Sequence, residues 1–171
     1  RIVPRSLLFT ARKGERVSSV VSVENHGGSA FAFLHEICGF ARYAAAVCFR
    51  KDGVPIGYVH IGADDSHDLG YALRSEFWRR GIASEACAAA IAQARAAGIP
   101  YLTATYDINN PRSGAVMRRC GLQYQYTYKE QWQPKNFPVS FRMYQLNLHC
   151  APDFVYRKYW EQAENRWIEP L

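Results

Sequence analysis

Arg79-Arg80-Gly81-Ile82-Ala83-Ser84 is the stretch whose residue types and spacing suit the handling of an anion. Two guanidinium groups precede a glycine. The small residues after it open a segment, Ile82 to Ala97, of strong helix formers that Gly98 and Pro100 bring to an end. The first turn of a helix carries backbone N–H groups without internal acceptors at the positive end of the helix dipole, and such a site attracts phosphate. Gly81 lets the backbone come close to an anion or take a positive φ, Ala83 keeps the approach clear, and Ser84 adds a hydroxyl. From these residues alone, an ordinary strand-to-helix turn with two solvated arginines reads equally well, because short glycine motifs arise by chance.

A second group runs from Asn109 to Leu122. Asn110 has the side chain of a helix N-cap, Pro111 fits the first helical position, and Gly121 falls where a helix ends. Taken alone, this predicts a short capped helix. The chain has no Gly-x-x-x-x-Gly-Lys-Ser/Thr and no Gly-x-Gly-x-x-Gly, which disfavours a P-loop nucleotide hydrolase and a dinucleotide-binding unit.

Trp78-Arg79-Arg80-Gly81-Ile82-Ala83 resembles the pyrophosphate loop of the GNAT family of N-acetyltransferases, whose pattern is Gln/Arg-x-x-Gly-x-Gly/Ala at the end of the fourth strand. Trp78 departs from the usual Gln or Arg. An aromatic there, followed by Arg-Gly and small-Glu-Ala, is similar to the branch of ribosomal-protein N-terminal acetyltransferases. The second group resembles the family's Asn-x-Arg-Ser…Lys-x-Gly-Phe signature, with Arg119 and Leu122 in place of lysine and phenylalanine. The resemblance implies the α/β fold of that family: a mixed, mostly antiparallel central sheet of about six to seven strands, flanked by helices, with one splayed parallel strand pair. It implies a single domain over residues 1–171, with acetyl-CoA as cosubstrate and no metal. Acetyl would pass to a primary amine by direct attack in a ternary complex. Backbone groups near Leu73 would bind the thioester carbonyl or the pantetheine amides. The N–H groups of Arg80, Gly81, Ile82, Ala83 and Ser84, with Arg79 beside them, would bind pyrophosphate, and Asn110 and Ser113 would hold the pantetheine or adenine side.

Such a reaction needs an unprotonated amine, stabilisation of a tetrahedral oxyanion and, in some cases, a proton for the departing thiolate. Asp68, on the strand ahead of the loop where relatives often place a carboxylate, is the first candidate for the general base, acting through water. A solvated strand-edge aspartate is the alternative. His67, with an unperturbed pKa of about 6.5, is a second candidate, but neighbours on a regular strand point to opposite faces and would not line one pocket together. Many family members use a tyrosine four residues beyond the serine of the second motif as general acid; here that position is Met117, which cannot donate a proton. Ser113 stands as a substitute near the sulfur, with Tyr106 and Tyr124 as unranked alternatives. A thiol of pKa about 8.5 leaves without much help. Direct transfer needs no acyl-enzyme, so Cys120 reads as a small buried residue rather than a nucleophile.

The elements that must position these residues follow from periodicity and turn signals. Ser6 to Thr10 and Val17 to Val23 read as strands, His26-Gly27-Gly28-Ser29 as a turn and Phe31 to Ile37 as a short helix; residues 1–42 carry little of the family pattern. Ala44 to Phe49, a turn at Lys51-Asp52-Gly53, and Val54 to Ile61 make a hairpin, and Gly62 to Ser66 turns into a strand from His67 to Leu73. After the alanine-rich helix, Tyr101 to Tyr106 alternates as a strand and would lie parallel to the preceding one across a helical crossover. Tyr124 to Tyr128 and Ser140 to Leu148 read as a closing hairpin joined by a loop with Pro134 and Pro138. Within 150–171, the aromatics of Phe154 to Trp167 recur at helical intervals and predict an added amphipathic helix.

With 171 residues, 49% of them hydrophobic, the chain can bury a core of its own. A formal charge of +6 favours an anionic partner: nucleic acid, a membrane surface or a small polyanion such as coenzyme A. The basic residues are dispersed, with no basic helix face and no nucleic-acid motif, which disfavours a nucleic-acid module. No stretch approaches the roughly twenty apolar residues of a membrane span. The five cysteines form no Cys-x-x-Cys pair, so reduced thiols in a cytoplasmic protein are expected. The acceptor stays open between a small amine and a protein N-terminus, and Asp64, Asp65 and Glu130 are acidic residues suited to attract a cation. A homodimer contact through the C-terminal helix remains an alternative, as does a catalytically degenerate domain that binds or senses acyl-CoA without transferring it.

Overall fold

Runs of β-branched and aromatic residues broken by turn signals dominate the first half of the chain, and they fold as a meander. The computed structural model describes residues 19–25, 28–37, 41–49, 54–132 and 136–171. The chain gathers into two units, Arg1–Ala97 and Gly98–Leu171.

In the first unit, β1 (Ser19–Asn25), β2 (Gly28–Ile37), β3 (Ala41–Phe49), β4 (Pro55–Gly62) and β5 (Leu69–Leu73) form one sheet in sequence order. Every ladder is antiparallel. β5 is its last strand, so one edge of β5 has no partner in this sheet. A single 3-10 turn, Ser75–Phe77, leads to α1 (Ile82–Ala96). Ala45, Val47, Val59, Ile61 and Leu69 from the strands are buried, as are Ile82, Ala86, Cys87, Ala90 and Ala94 of α1. Alanines at this spacing give a helix face without long side chains, which lets a helix lie close to its sheet.

The second unit holds β6 (Tyr101–Asp107), α2 (Pro111–Arg119), β7 (Gln123–Trp132), β8 (Phe137–Asn147), α3 (Lys158–Gln162) and β9 (Arg166–Trp167). Its strands run in the order β6-β8-β7-β9, again antiparallel. Tyr126, Tyr128, Met143, Tyr156 and Ala163 form a buried cluster. The Tyr128 and Tyr159 rings stack at 5.5 Å and 13°.

The expected α/β fold is present, with nine strands among the described residues in sheets of five and four. The hairpin from Ala44 to Ile61, the alanine-rich helix, the strand from Tyr101 and the closing hairpin all form, with ends shifted by a few residues. Two expectations fail. Phe31 to Ile37 is not a helix but the body of β2, whose backbone pairs on one side with β1 and on the other with β3. Two ladders satisfy its N–H and C=O groups and outweigh a weak local pattern.

Phe154 to Trp167 is not one helix either, because only Lys158–Gln162 is helical and Arg166–Trp167 pairs with β7. Side chains of β8 hold the preceding backbone in a turn and an irregular stretch. Asn147 Nδ2 donates to Ala151 O, Pro152 O and Phe154 O, Gln145 Nε2 donates to Phe154 O, and Tyr156 N–H donates to Gln145 Oε1 at 2.8 Å. Tyr156 is therefore a core residue of an irregular strap, with Tyr159 and Trp160 packed half-buried against it, while Phe154 and Trp167 are exposed. The expected strand at Ser6 to Thr10 and the turns at His26-Gly27 and Lys51-Asp52-Gly53 lie outside the described residues.

Candidate functional site

The connection from β5 to α1 is a built turn. Arg74 N–H donates to Ile56 O at 2.8 Å and closes the strand, then Phe77 N–H to Arg74 O and Trp78 N–H to Ser75 O close the 3-10 turn. Arg79 takes a left-handed conformation with φ 61°, and Gly81 another with φ 77° at the N-cap of α1. A non-glycine residue there costs about 1 kcal/mol, while Gly81 takes the same region without penalty. Glu85 N–H donates to Gly81 O at 3.1 Å and starts the helical ladder. The amides of Ile82, Ala83 and Ser84 therefore belong to the first turn, ahead of any acceptor within the helix. Arg79 and Arg80 are exposed beside them, and the guanidinium groups of Arg74 and Arg80 each lie 5.6 Å from the centre of the Phe77 ring. The six residues Arg79 to Ser84 thus form one surface with positive backbone and side-chain groups.

Leu73 ends β5 ahead of this turn. The bonds Arg74 N–H to Ile56 O and Gly62 N–H to Asp68 O mark the bonded pairs of the β4–β5 ladder, and Leu73 opposite Gly57 falls between them. Its N–H and C=O therefore point to the outer edge of β5, as do those of Tyr71 and Leu69. Leu73 O already accepts a hydrogen bond of 2.8 Å from the Trp78 indole N–H.

Asp68 sits at the other end of β5, five residues from Leu73. The strand begins at Leu69 rather than at His67, since His67 is left-handed (φ 47°) and makes the turn into it. Asp68 Oδ1 is buried and has no hydrogen-bond partner among the described residues. Burial, with the nearby charge of Asp64 as the smaller cause, pushes its carboxyl up to about 7. Asp64 itself accepts a 2.7 Å hydrogen bond from Ser66 Oγ. A carboxyl that titrates near neutrality is chemically suited to take a proton from an amine or a water.

In the second unit, Asn110 precedes α2 but does not cap it with its side-chain oxygen. Its Nδ2 donates to Ser113 Oγ at 3.1 Å, so these two expected residues are in direct contact. The preceding turn is held by Asp107, which accepts from the backbone and side chain of Asn109. Met117 is 2% exposed and belongs to the core of its unit. Tyr106 OH accepts from Arg142 Nη1, while Tyr124 OH pairs with Thr127 Oγ1 and accepts from Glu169 N–H, so Tyr124 is engaged as both donor and acceptor.

The Tyr106 ring lies directly on Gly114 of α2. A Cβ at position 114 would stand 2.4 Å from Tyr106 Cζ, and the ring, buried and tethered through its hydroxyl, has little room to move. Alanine gains about 1 kcal/mol over glycine inside a helix, but overpacking costs about 1–3 kcal/mol. Gly114→Ala is expected to destabilise the protein and lower Tm by about 4 °C in a thermal melt.

One family model covers the residues of both places. That model, the acetyltransferase (GNAT) domain, matches residues 8–123. The chain belongs to the GNAT acetyltransferase family. No curated protein matches it significantly. Among solved structures, this GNAT chain is similar to an acetyltransferase of the family from Bacillus anthracis (18% identity, 61% of this chain and 65% of that one, TM-score 0.55). It is also similar to the microcin C7 self-immunity acetyltransferase MccE in complex with acetyl-CoA and AMP (18% identity, 61% of this chain and 59% of that one, TM-score 0.55). A third is RimL, a ribosomal L7/L12 alpha-N-protein acetyltransferase in complex with coenzyme A (19% identity, 66% and 65%, TM-score 0.58). At these identities the likeness is one of fold, and the chain spans 59% to 65% of those three chains.

The family model reaches back to residue 8, further than the two motifs, whose N-terminal side carries little of the pattern. Sequence reasoning about this GNAT chain missed the bond from Trp78 to Leu73, because a side chain returning to the strand before its own loop leaves no periodic signal. It also missed His60, whose ring covers Gly70 and whose pKa burial lowers. Glu130 lines a cleft of about 670 Å³ in the second unit with Tyr128, Tyr159 and Glu164, apart from every expected site residue of that unit. Cys48, Cys87, Cys120 and Cys150 are free thiols; Cys38 lies outside the described residues. No helix among the described residues is long and apolar enough to cross a membrane.

Proposed function

We propose that the chain transfers an acetyl group from acetyl-CoA to a primary amine by direct attack in a ternary complex, residues 1–171 acting as a single acetyltransferase domain. The observation that carries this reading is the pair of left-handed residues, Arg79 and Gly81, that turns the chain into α1 and presents the amides of Ile82 to Ser84 beside two arginines. A diphosphate is the ligand that such a cradle fits. An extended arm laid back from it along the outer edge of β5 runs roughly 16 Å, at about 3.3 Å per residue, before it reaches Asp68. In this reading backbone groups at Leu73 receive an amide of that arm, Asp68 takes the amine proton through water, and Asn110 and Ser113 contact the cofactor. Ser113 stands near the sulfur, with its hydroxyl already oriented by Asn110.

The acceptor is a small amine or a protein N-terminus, in a cytoplasmic setting and in a chain free to pair as a homodimer. RimL, a ribosomal L7/L12 alpha-N-protein acetyltransferase, gives reason to test a protein N-terminus beside small amines. The test is calorimetric titration with acetyl-CoA, followed by thiol release against a panel of amines and N-terminal peptides. Saturable one-to-one binding with turnover supports transfer, and absence of binding overturns it. The burial of Met117 where relatives place a tyrosine favours a second reading, an acyl-CoA-binding sensor, which binding without any turnover would support.

A further inference from the structure

Trp78 occupies the first position of the loop pattern, where the family's usual residue is Gln or Arg, and its side chain turns back across five residues to donate to Leu73 O at 2.8 Å. That acceptor is an outward carbonyl at the end of an edge strand, so no ladder holds it. Between the two ends of this bond lie the extended Arg74, the 3-10 turn and the Phe77 ring with Arg74 and Arg80 beside it. Immediately after it come Arg79 in its left-handed conformation and Gly81. An exposed turn with a non-glycine residue at φ 61° persists when its surroundings fix it, and the indole bond ties the residue just before it back to the end of β5, beside the backbone bonds of Arg74 and Phe77.

We propose that Trp78 is a positioning residue for the phosphate cradle: by tying the end of β5 to the turn, its indole N–H holds the amides of Ile82 to Ser84 in place before the ligand arrives. The bond also fills Leu73 O, which leaves Leu73 N–H as the outward group of that residue for a ligand amide. This inference rests on the transfer reading for its ligand, not for its geometry.

Trp78→Phe keeps a ring and deletes the donor, and Trp78→Gln restores a donor on a shorter chain. Two measurements are made on the full chain: backbone order parameters by NMR without ligand, and calorimetric affinity for coenzyme A, with Tm as a control. The expected result for Trp78→Phe is that order parameters of residues 78–84 fall from about 0.85 to below about 0.6 at unchanged Tm. Coenzyme A affinity should weaken about fivefold, as for loss of one preorganising hydrogen bond, and Trp78→Gln should recover most of both. A turn that stays rigid in Trp78→Phe overturns the tie, and an affinity equal to wild type overturns the positioning role. If the wild type binds no coenzyme A, the transfer reading fails while the order parameters still decide whether the indole holds the turn.

Discussion

Asp68→Asn is expected to lower kcat at pH 7 by about a hundredfold, the lower end of what a general base contributes, with the affinity for acetyl-CoA within about twofold of wild type. The pH behaviour makes the prediction specific. The Asp68 carboxyl is pushed up to about 7 by burial and by Asp64, so the wild-type rate should rise as pH passes about 7 and the carboxylate forms. The asparagine variant should lack that limb. Stability should move the other way. Between the ordinary carboxylate pKa of about 4 and the folded value of about 7, the folded state holds a proton that the unfolded chain has lost. Stability therefore falls as pH rises through this window and stays lower above it. Asparagine remains neutral, so at pH 8 the variant should be the more stable protein by something on the order of 2 kcal/mol, a figure reduced for the partial exposure of the residue. A variant that loses activity while gaining stability at pH 8 identifies a group kept for chemistry. Wild-type turnover with an unchanged pH profile would remove Asp68 from the mechanism.

Arg80→Glu is expected to weaken acetyl-CoA binding about thirtyfold, close to 2 kcal/mol, because it replaces an attractive charge beside the diphosphate with a repulsive one at an exposed, screened site. The effect should shrink as salt is raised. The side chain is exposed and lies over the Phe77 ring, and exposed charges contribute little to stability, so the melting temperature should change little. Calorimetry at two salt concentrations checks both statements. Equal affinities would remove the Gly81 turn from the account of ligand binding.

How much was legible in the sequence follows from what kind of signal each feature leaves. The turn into α1 was readable because its determinants are local: a glycine that takes a positive φ and a run of helix formers behind it. The second motif was readable for the same reason, through Pro111 at the start and Gly121 (φ 87°) after the end of α2. The meander from Ala44 onward followed from alternation and turn residues. Phe154 to Trp167 misled because the spacing of aromatics does not say which backbone path carries them, and the path was set by Gln145 and Asn147 on another strand. Phe31 to Ile37 misled because pairing on both sides of β2 depends on segments distant in sequence.

The sequence by itself determined the family pattern, the place of the glycine turn ahead of α1, and the identity of the residues at the two motifs: two arginines, a glycine, a serine, and a methionine where the family pattern has a tyrosine. Each is a property of residue type at fixed spacing, which the backbone expresses locally. Only the tertiary structure decided which groups are already committed. Met117 is enclosed in its core, Tyr106 is tethered to Arg142 beneath Gly114, and Trp78 is bonded to Leu73. It also decided that Asp68 Oδ1 is buried without a partner, and burial with the charge of Asp64 pushes the carboxyl up to about 7. Burial and hydrogen-bond partners come from contacts between segments remote along the chain, and desolvation scales with what surrounds a group rather than with what precedes it.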